Sequence, residues 1–131
     1  MKATILVIED DPTNRALVTK LLRHLGHDSL EAEDGAQALQ LAKDRLPDLI
    51  LLDLGLPQVD GCQVARQLKS DPRTMAVPLV ALTAYALNGD RARALEAGCD
   101  AYVAKPFDPD ALAAMIQQTL ARRPARPGEK P

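Results

Sequence analysis

Apolar positions along the chain follow two rhythms. Four short unbroken runs, Ile5 to Ile8, Leu49 to Leu52, Leu79 to Leu82 and Ala101 to Ala104, read as strands buried on both faces, like parallel strands covered by helices. Between them apolar residues recur every three or four positions: Leu17, Val18, Leu21, Leu22 and Leu25, then Val64, Ala65 and Leu68, then Leu112, Met115, Ile116 and Leu120. Asp11-Pro12 and Asp108-Pro109 supply a cap and a first-turn proline for two of these helices, and Gly26 stops the first. A helix is predicted from Gly35 to about Arg45, with Pro47 turning into the third run. Another covers 88–97, with a first turn weakened by Asn88-Gly89 and a stop at Gly98. A weaker strand, Ser29 to Glu33, alternates Leu30 and Ala32 with Glu31 and Glu33, the signature of an edge wetted on one side. Pro57 to Gly61 reads as a loop, and Pro72 and Pro78 bracket another connection. Strand and helix alternate five times, which predicts an α/β fold: a doubly wound five-stranded parallel sheet with five helices on its two faces.

Every one of the four runs ends in a polar residue with chemistry: Glu9 and Asp10, Asp53, Thr83, and Lys105. Open parallel sheets bind ligands beyond the carboxyl ends of their strands, so three acids, a hydroxyl and an ammonium are expected on one edge. Two carboxylates about 4 Å apart repel by roughly 4 kcal/mol at an effective dielectric near 20, so such a pocket requires a cation or a proton. Hard carboxylate oxygens with no neighbouring His or Cys favour Mg2+, whose remaining positions take water and phosphate oxygens. Lys105 and Thr83 can contact phosphate. A carboxylate beside a metal can attack phosphorus to form an acyl phosphate, and Asp53, alone at the end of the most apolar run, is the best placed nucleophile. Asp11, just before Pro12, reads as a helix cap rather than a metal ligand.

The rest of the composition narrows the setting. With 131 residues, 47% of them hydrophobic, the chain is expected to form one domain over 1–121. A net charge of -2 gives no basic surface for nucleic acid, and no apolar stretch is long enough to cross a bilayer. Met1-Lys2 runs into the first strand without a cleavage pattern, so a cytoplasmic location is expected. Cys62 and Cys99 lack zinc-ligand spacing and read as two buried free thiols. From Arg122 onward Arg, Lys and Pro interleave without an anchoring apolar residue, so 122–131 is expected to be a disordered tail.

Taken in order, Ile-Leu-Val-Ile-Glu9-Asp10-Asp11, Leu-Leu-Asp53-Leu-Gly-Leu-Pro57 with Asp60-Gly61, Leu-Thr83-Ala84, Gly98-Cys-Asp-Ala-Tyr102 and Lys105-Pro106-Phe107 resemble a response-regulator receiver domain of two-component signalling, of the chemotaxis-regulator and single-domain cell-cycle regulator kind. The resemblance covers about residues 3 to 121 and implies a flavodoxin-like sheet of order 2-1-3-4-5. It implies Asp53 as the phosphoacceptor and a Mg2+ site made by Asp10 directly, Glu9 mainly through water, Asp53, and the Gly55 carbonyl. It further implies Lys105 as the phosphate contact, a cis Lys105-Pro106 bond, and Thr83 with Tyr102 as a switch pair. Tyr85 falls where such proteins modulate access of hydrolytic water. By the same resemblance the protein is not a conventional enzyme; it catalyses its own phosphorylation and dephosphorylation. Its phosphodonor is a histidine kinase or histidine phosphotransfer protein, and it answers through a partner protein docking on its fourth helix, fifth strand and fifth helix, as a monomer or weak dimer. The start of the fourth helix, at Asn88-Gly89, is expected to order on phosphorylation.

Two settings fit these residues: a stand-alone regulator, and the receiver of a hybrid histidine kinase. No output domain is expected after residue 121. A non-phosphorylated binding module is disfavoured because the acceptor, metal and lysine positions are all filled. An aspartyl phosphatase of the haloacid-dehalogenase type would carry a second Asp where Gly55 stands. A flavodoxin-like cofactor binder would need a phosphate loop where Glu9-Asp10-Asp11 repels phosphate.

Overall fold

The computed structural model describes residues 2–55, 61–83, 90–105 and 108–122, with 90 and 91 described by backbone alone. Ten elements alternate along them: β1 (Thr4–Ile8), α1 (Pro12–His24), β2 (Asp28–Ala32), α2 (Gly35–Arg45), β3 (Leu49–Asp53), α3 (Gly61–Ser70), β4 (Leu79–Thr83), α4 (Asp90–Glu96), β5 (Ala101–Ala104) and α5 (Pro109–Arg122). Every strand pairing is parallel and the order is β2-β1-β3-β4-β5, the expected doubly wound sheet.

Side-chain alternation along the strands sorts the core into two layers. Leu6, Ile8, Ile50, Leu52, Leu79 and Ala81 pack with Ala38 and Ala42 of α2, Val64, Ala65 and Leu68 of α3, and Ala94 of α4. Ile5, Val7, Leu49, Leu51, Val80 and Leu82 pack with Val18 and Leu22 of α1 and Leu112, Ile116 and Leu120 of α5. A fully buried Leu or Ile contributes roughly 1.5–3 kcal/mol, so stability concentrates in β1, β3 and β4. The amino ends of the strands are tied by side chains. The Asp48 carboxylate accepts from Thr4 N–H at 2.8 Å, His27 Nδ1 from Ala3 N–H at 3.0 Å, and Asp100 from Leu79 N–H at 2.8 Å. Lys69 Nζ donates to the Val77 carbonyl at 2.8 Å and to Asp100 at 3.0 Å.

Four expectations change in detail. β5 is half-buried rather than covered on both faces, because as an edge strand it pairs only with β4. Leu17 stands 56% exposed on α1, one position (about 100°) around the helix from buried Val18. β2 starts at Asp28 rather than Ser29, because Asp28 N–H donates to the Ala3 carbonyl and opens the ladder opposite Thr4. α5 runs through Arg122, one residue into the expected tail, and 123–131 lie outside the described residues. Gly98 has φ +102°, the left-handed stop expected after α4, whereas Asn88 and Gly89 lie outside the described residues. Cys62 and Cys99 are buried free thiols, and burial pushes the Cys99 thiol up to about 12, leaving it unreactive.

Candidate phosphoryl-accepting site

The central strands stop level with one another. Ile8 lies opposite Leu52, Asp53 opposite Leu82, and Thr83 opposite Ala104, so the residues that end or follow them share one edge. Backbone pairing continues past the strands and fixes these ends. Glu9 N–H donates to the Ala32 carbonyl at 3.0 Å, Leu54 N–H to Leu82 at 3.0 Å, and Lys105 N–H to Thr83 at 2.7 Å. Carboxylate oxygens of Glu9, Asp10 and Asp53 come within 4.8 Å of one another. That cluster of hard oxygen donors suits Mg2+.

Lys105 bridges the two buried acids. Its Nζ lies 2.7 Å from Glu9 Oε2 and 3.3 Å from Asp53 Oδ2. The other oxygens are also engaged: Glu9 Oε1 accepts from Asp11 N–H at 3.3 Å and Asp53 Oδ1 from Gly55 N–H at 3.0 Å. Of the two acids that follow β1 only Glu9 is buried; Asp10 is exposed, and its carboxylate has no hydrogen bond or ion pair among the described residues. Burial pushes the Glu9 carboxyl up to about 7, helped by nearby Asp53 and opposed by Lys105. Burial lowers the Lys105 pKa, but the hydrogen bond to Glu9 and the charges of Asp53 and Glu9 outweigh it, so the ammonium titrates above its ordinary value. The resting pocket therefore carries its own counter-ion.

Thr83 is buried at the end of β4. Tyr102 lies opposite Ala81, two positions before Ala104, so Thr83 and Tyr102 occupy one face of adjacent strands, and the half-buried Tyr102 packs against the core layer of α2 to α4. Asp11 is a cap as expected, its Oδ1 accepting from Thr13 N–H at 2.9 Å. Pro57, Asp60, Ala84, Tyr85, Pro106 and Phe107, and with them the cis Lys105-Pro106 bond, lie outside the described residues. Sequence reasoning missed Arg15. Its Nη1 donates to the Glu9 carbonyl at 2.9 Å, while Nε and Nη2 reach Glu31 at 3.2 Å and Glu33 at 3.4 Å. The available signal was a basic residue in the first turn of α1 beside two alternate acids on an edge strand. Glu31 and Glu33 are thus ion-pair partners as well as a wetted face.

Comparison with known proteins places this arrangement. Residues 5–117 match the response regulator receiver domain family. The chain is 38% identical over 107 residues to the polar-differentiation response regulator DivK of Brucella anthropi, covering 82% of this chain and 87% of that protein. A response regulator of Chloroflexus aurantiacus superposes with a TM-score of 0.89 at 33% identity, over 93% of this chain and all (100%) of that one. The receiver domain of a sensor histidine kinase of Pseudomonas aeruginosa PAO1 superposes with a TM-score of 0.86 at 37% identity, over 92% of this chain and 99% of that one. In that structure a magnesium ion is coordinated in the active-site cleft. No described helix is long and apolar enough to cross a membrane.

Proposed function

We infer the detailed function from one premise: the chain belongs to the response regulator receiver domain family. It is a receiver domain of two-component phosphorelay signalling. Within that role we propose that Asp53 is the phosphoacceptor and that Asp10, Asp53, the Gly55 carbonyl and, through water, Glu9 hold Mg2+. The observation that carries this reading is the convergence of three carboxylates and Lys105 on the carboxyl edge of β1, β3 and β5. Glu9 suits an indirect role because it is the more deeply buried of the acids and Lys105 holds its Oε2 at 2.7 Å, closer than the 3.3 Å to Asp53. The magnesium-bound Pseudomonas receiver supports the choice of ion.

A histidine kinase or histidine phosphotransfer protein presents a phosphohistidine, and an Asp53 oxygen forms the new O–P bond in line as the N–P bond breaks and the imidazole leaves. Mg2+ supplies neutralisation of charge on the transferring oxygens. Lys105, already beside Asp53, contacts a phosphoryl oxygen, and the same groups serve when water later attacks the acyl phosphate. The domain thereby catalyses its own phosphorylation and dephosphorylation. Thr83 then donates to the phosphoryl group, and Tyr102 turns into the space behind it. This biases the α4, β5 and α5 face toward a partner protein. We place the reaction in the cytoplasm, where histidine kinases present their phosphoryl groups.

Intact mass after incubation with acetyl phosphate tests the reading. The expected result is one phosphoryl adduct that requires Mg2+ and is absent from Asp53→Asn. Absence of both adduct and phosphate release, in folded protein shown to bind Mg2+, would leave only a binding module.

A further inference from the structure

Glu9 is held at every polar atom, whereas the neighbouring Asp10 is exposed, and its carboxylate, though beside those of Glu9 and Asp53, has no hydrogen bond or ion pair among the described residues. The direction in which the Asp10 Cα–Cβ bond leaves the chain is set by its backbone. That backbone begins with the Glu9–Asp10 peptide, whose carbonyl accepts from Arg15 Nη1 at 2.9 Å. The guanidinium is itself clamped. Nε and Nη2 reach Glu31 on β2 and Glu33 just past its end, and the Arg15 side chain is only 14% exposed. Arg15 N–H donates to the Asp11 carbonyl at 2.9 Å, so the same residue also closes the first turn of α1 that follows the acid pair.

We propose that Arg15 is a positioning residue of the acidic pocket: by pinning the Glu9 carbonyl from a seat on Glu31 and Glu33, it sets the direction in which Asp10 presents its carboxylate to Mg2+. The inference rests on the Mg2+ reading given under Proposed function. Mg2+ demands near-ideal octahedral geometry, and removing groups that orient metal ligands typically costs 10- to 100-fold in affinity. Arg15 carries a positive charge close to a dication site. On electrostatics alone, its removal favours Mg2+ binding. Positioning predicts the opposite sign, and the sign separates the two roles. Glu31 and Glu33 have a matching part, since they offset the Arg15 charge while holding its fork in place.

The test is the Mg2+ dissociation constant, measured by calorimetry and by backbone amide shifts on the full chain, for the natural protein, Arg15→Ala and Arg15→Lys. Arg15→Ala is expected to weaken Mg2+ binding by about 10- to 100-fold. Arg15→Lys, which keeps the charge but not the fork, is expected to recover part of that loss. Amide shifts of Asp10 and Asp11 should move in the metal-free variants, while those of β4 remain. A merely structural role would lower the melting temperature and leave the constant of the folded protein unchanged. Unchanged or tighter binding by Arg15→Ala overturns the proposal. If Arg15→Ala does not fold, Arg15→Lys decides alone: natural affinity in that variant overturns the proposal, and weakening supports it. Failure of the natural protein to bind Mg2+ would overturn the metal reading itself, a result distinct from either.

Discussion

Glu9 and His27 respond to acid with opposite signs. The Glu9 carboxyl titrates near 7 in the folded, metal-free protein against 4.5 unfolded, so the folded state holds the extra proton between those values and its stability rises as pH falls through that window. Burial, aided by the charge of the chain's amino terminus and opposed by Asp48, lowers the His27 pKa below 6.5. Its Nδ1 accepts from Ala3 N–H, a bond that the protonated ring cannot keep. The unfolded chain therefore takes that proton first, and stability falls as pH drops below 6.5. In EDTA, urea unfolding at pH 7 and pH 6 should show Glu9→Gln losing stability on acidification and His27→Gln gaining it, with the natural protein between. Parallel responses in all three would refute the assignment. At this scale the sequence revealed which residues gather, because Glu9, Asp10, Asp53, Thr83 and Lys105 all end or follow strands of one direction. It did not reveal how they share partners. That only Glu9 of the acid pair is buried, that Lys105 spans Glu9 and Asp53, and that Arg15 reaches back to Glu9 depend on side-chain paths that periodicity does not encode.

Two glycines mark opposite ends of the elements. A Cβ on Gly61, which opens α3, would come 2.5 Å from Leu54 Cα and 2.9 Å from the Leu54 carbonyl, so the backbone after Asp53 would have to move. Gly98, which closes α4 with φ +102°, would crowd Lys69 Cγ at 2.8 Å. Both Gly61→Ala and Gly98→Ala should destabilise, by about 1–3 kcal/mol each from overpacking, with backbone strain added at Gly98. Only Gly61→Ala should slow phosphoryl acceptance in the remaining folded protein, since Leu54 adjoins Asp53 whereas Gly98 lies at the amino edge. Time courses with acetyl phosphate, corrected for the folded fraction, check this, and equal slowing would refute the division. Element limits were largely legible. α2 spans Gly35–Arg45 as its pattern implied, and Asp11-Pro12 opens α1. The misreadings came from tertiary context. Leu17 fits a helical repeat yet faces water, and Ala101 to Ala104 looks like an inner strand yet forms the second edge of the sheet.

At the scale of the whole molecule the two edges of the sheet divide the work. His27, Asp48, Lys69 and Asp100 tie the amino edge, and the carboxyl edge holds a pocket in which Lys105 pairs with Glu9 and Asp53. Mg2+ bound at 100 times its dissociation constant should add about 2.7 kcal/mol to stability. Thermal denaturation should show that gain in the natural protein and much less of it in Asp10→Asn; equal gains would exclude Asp10 from the site. The Lys105 to Glu9 contact joins residues 96 apart in sequence. The acid pair and Asp53 precede Lys105 in the chain, and the lysine follows β5, where its N–H donates to the Thr83 carbonyl at the end of β4. A chain in which β5 has not joined the sheet would present its acids without this cation, and on the proposed reading would not yet be competent to accept a phosphoryl group.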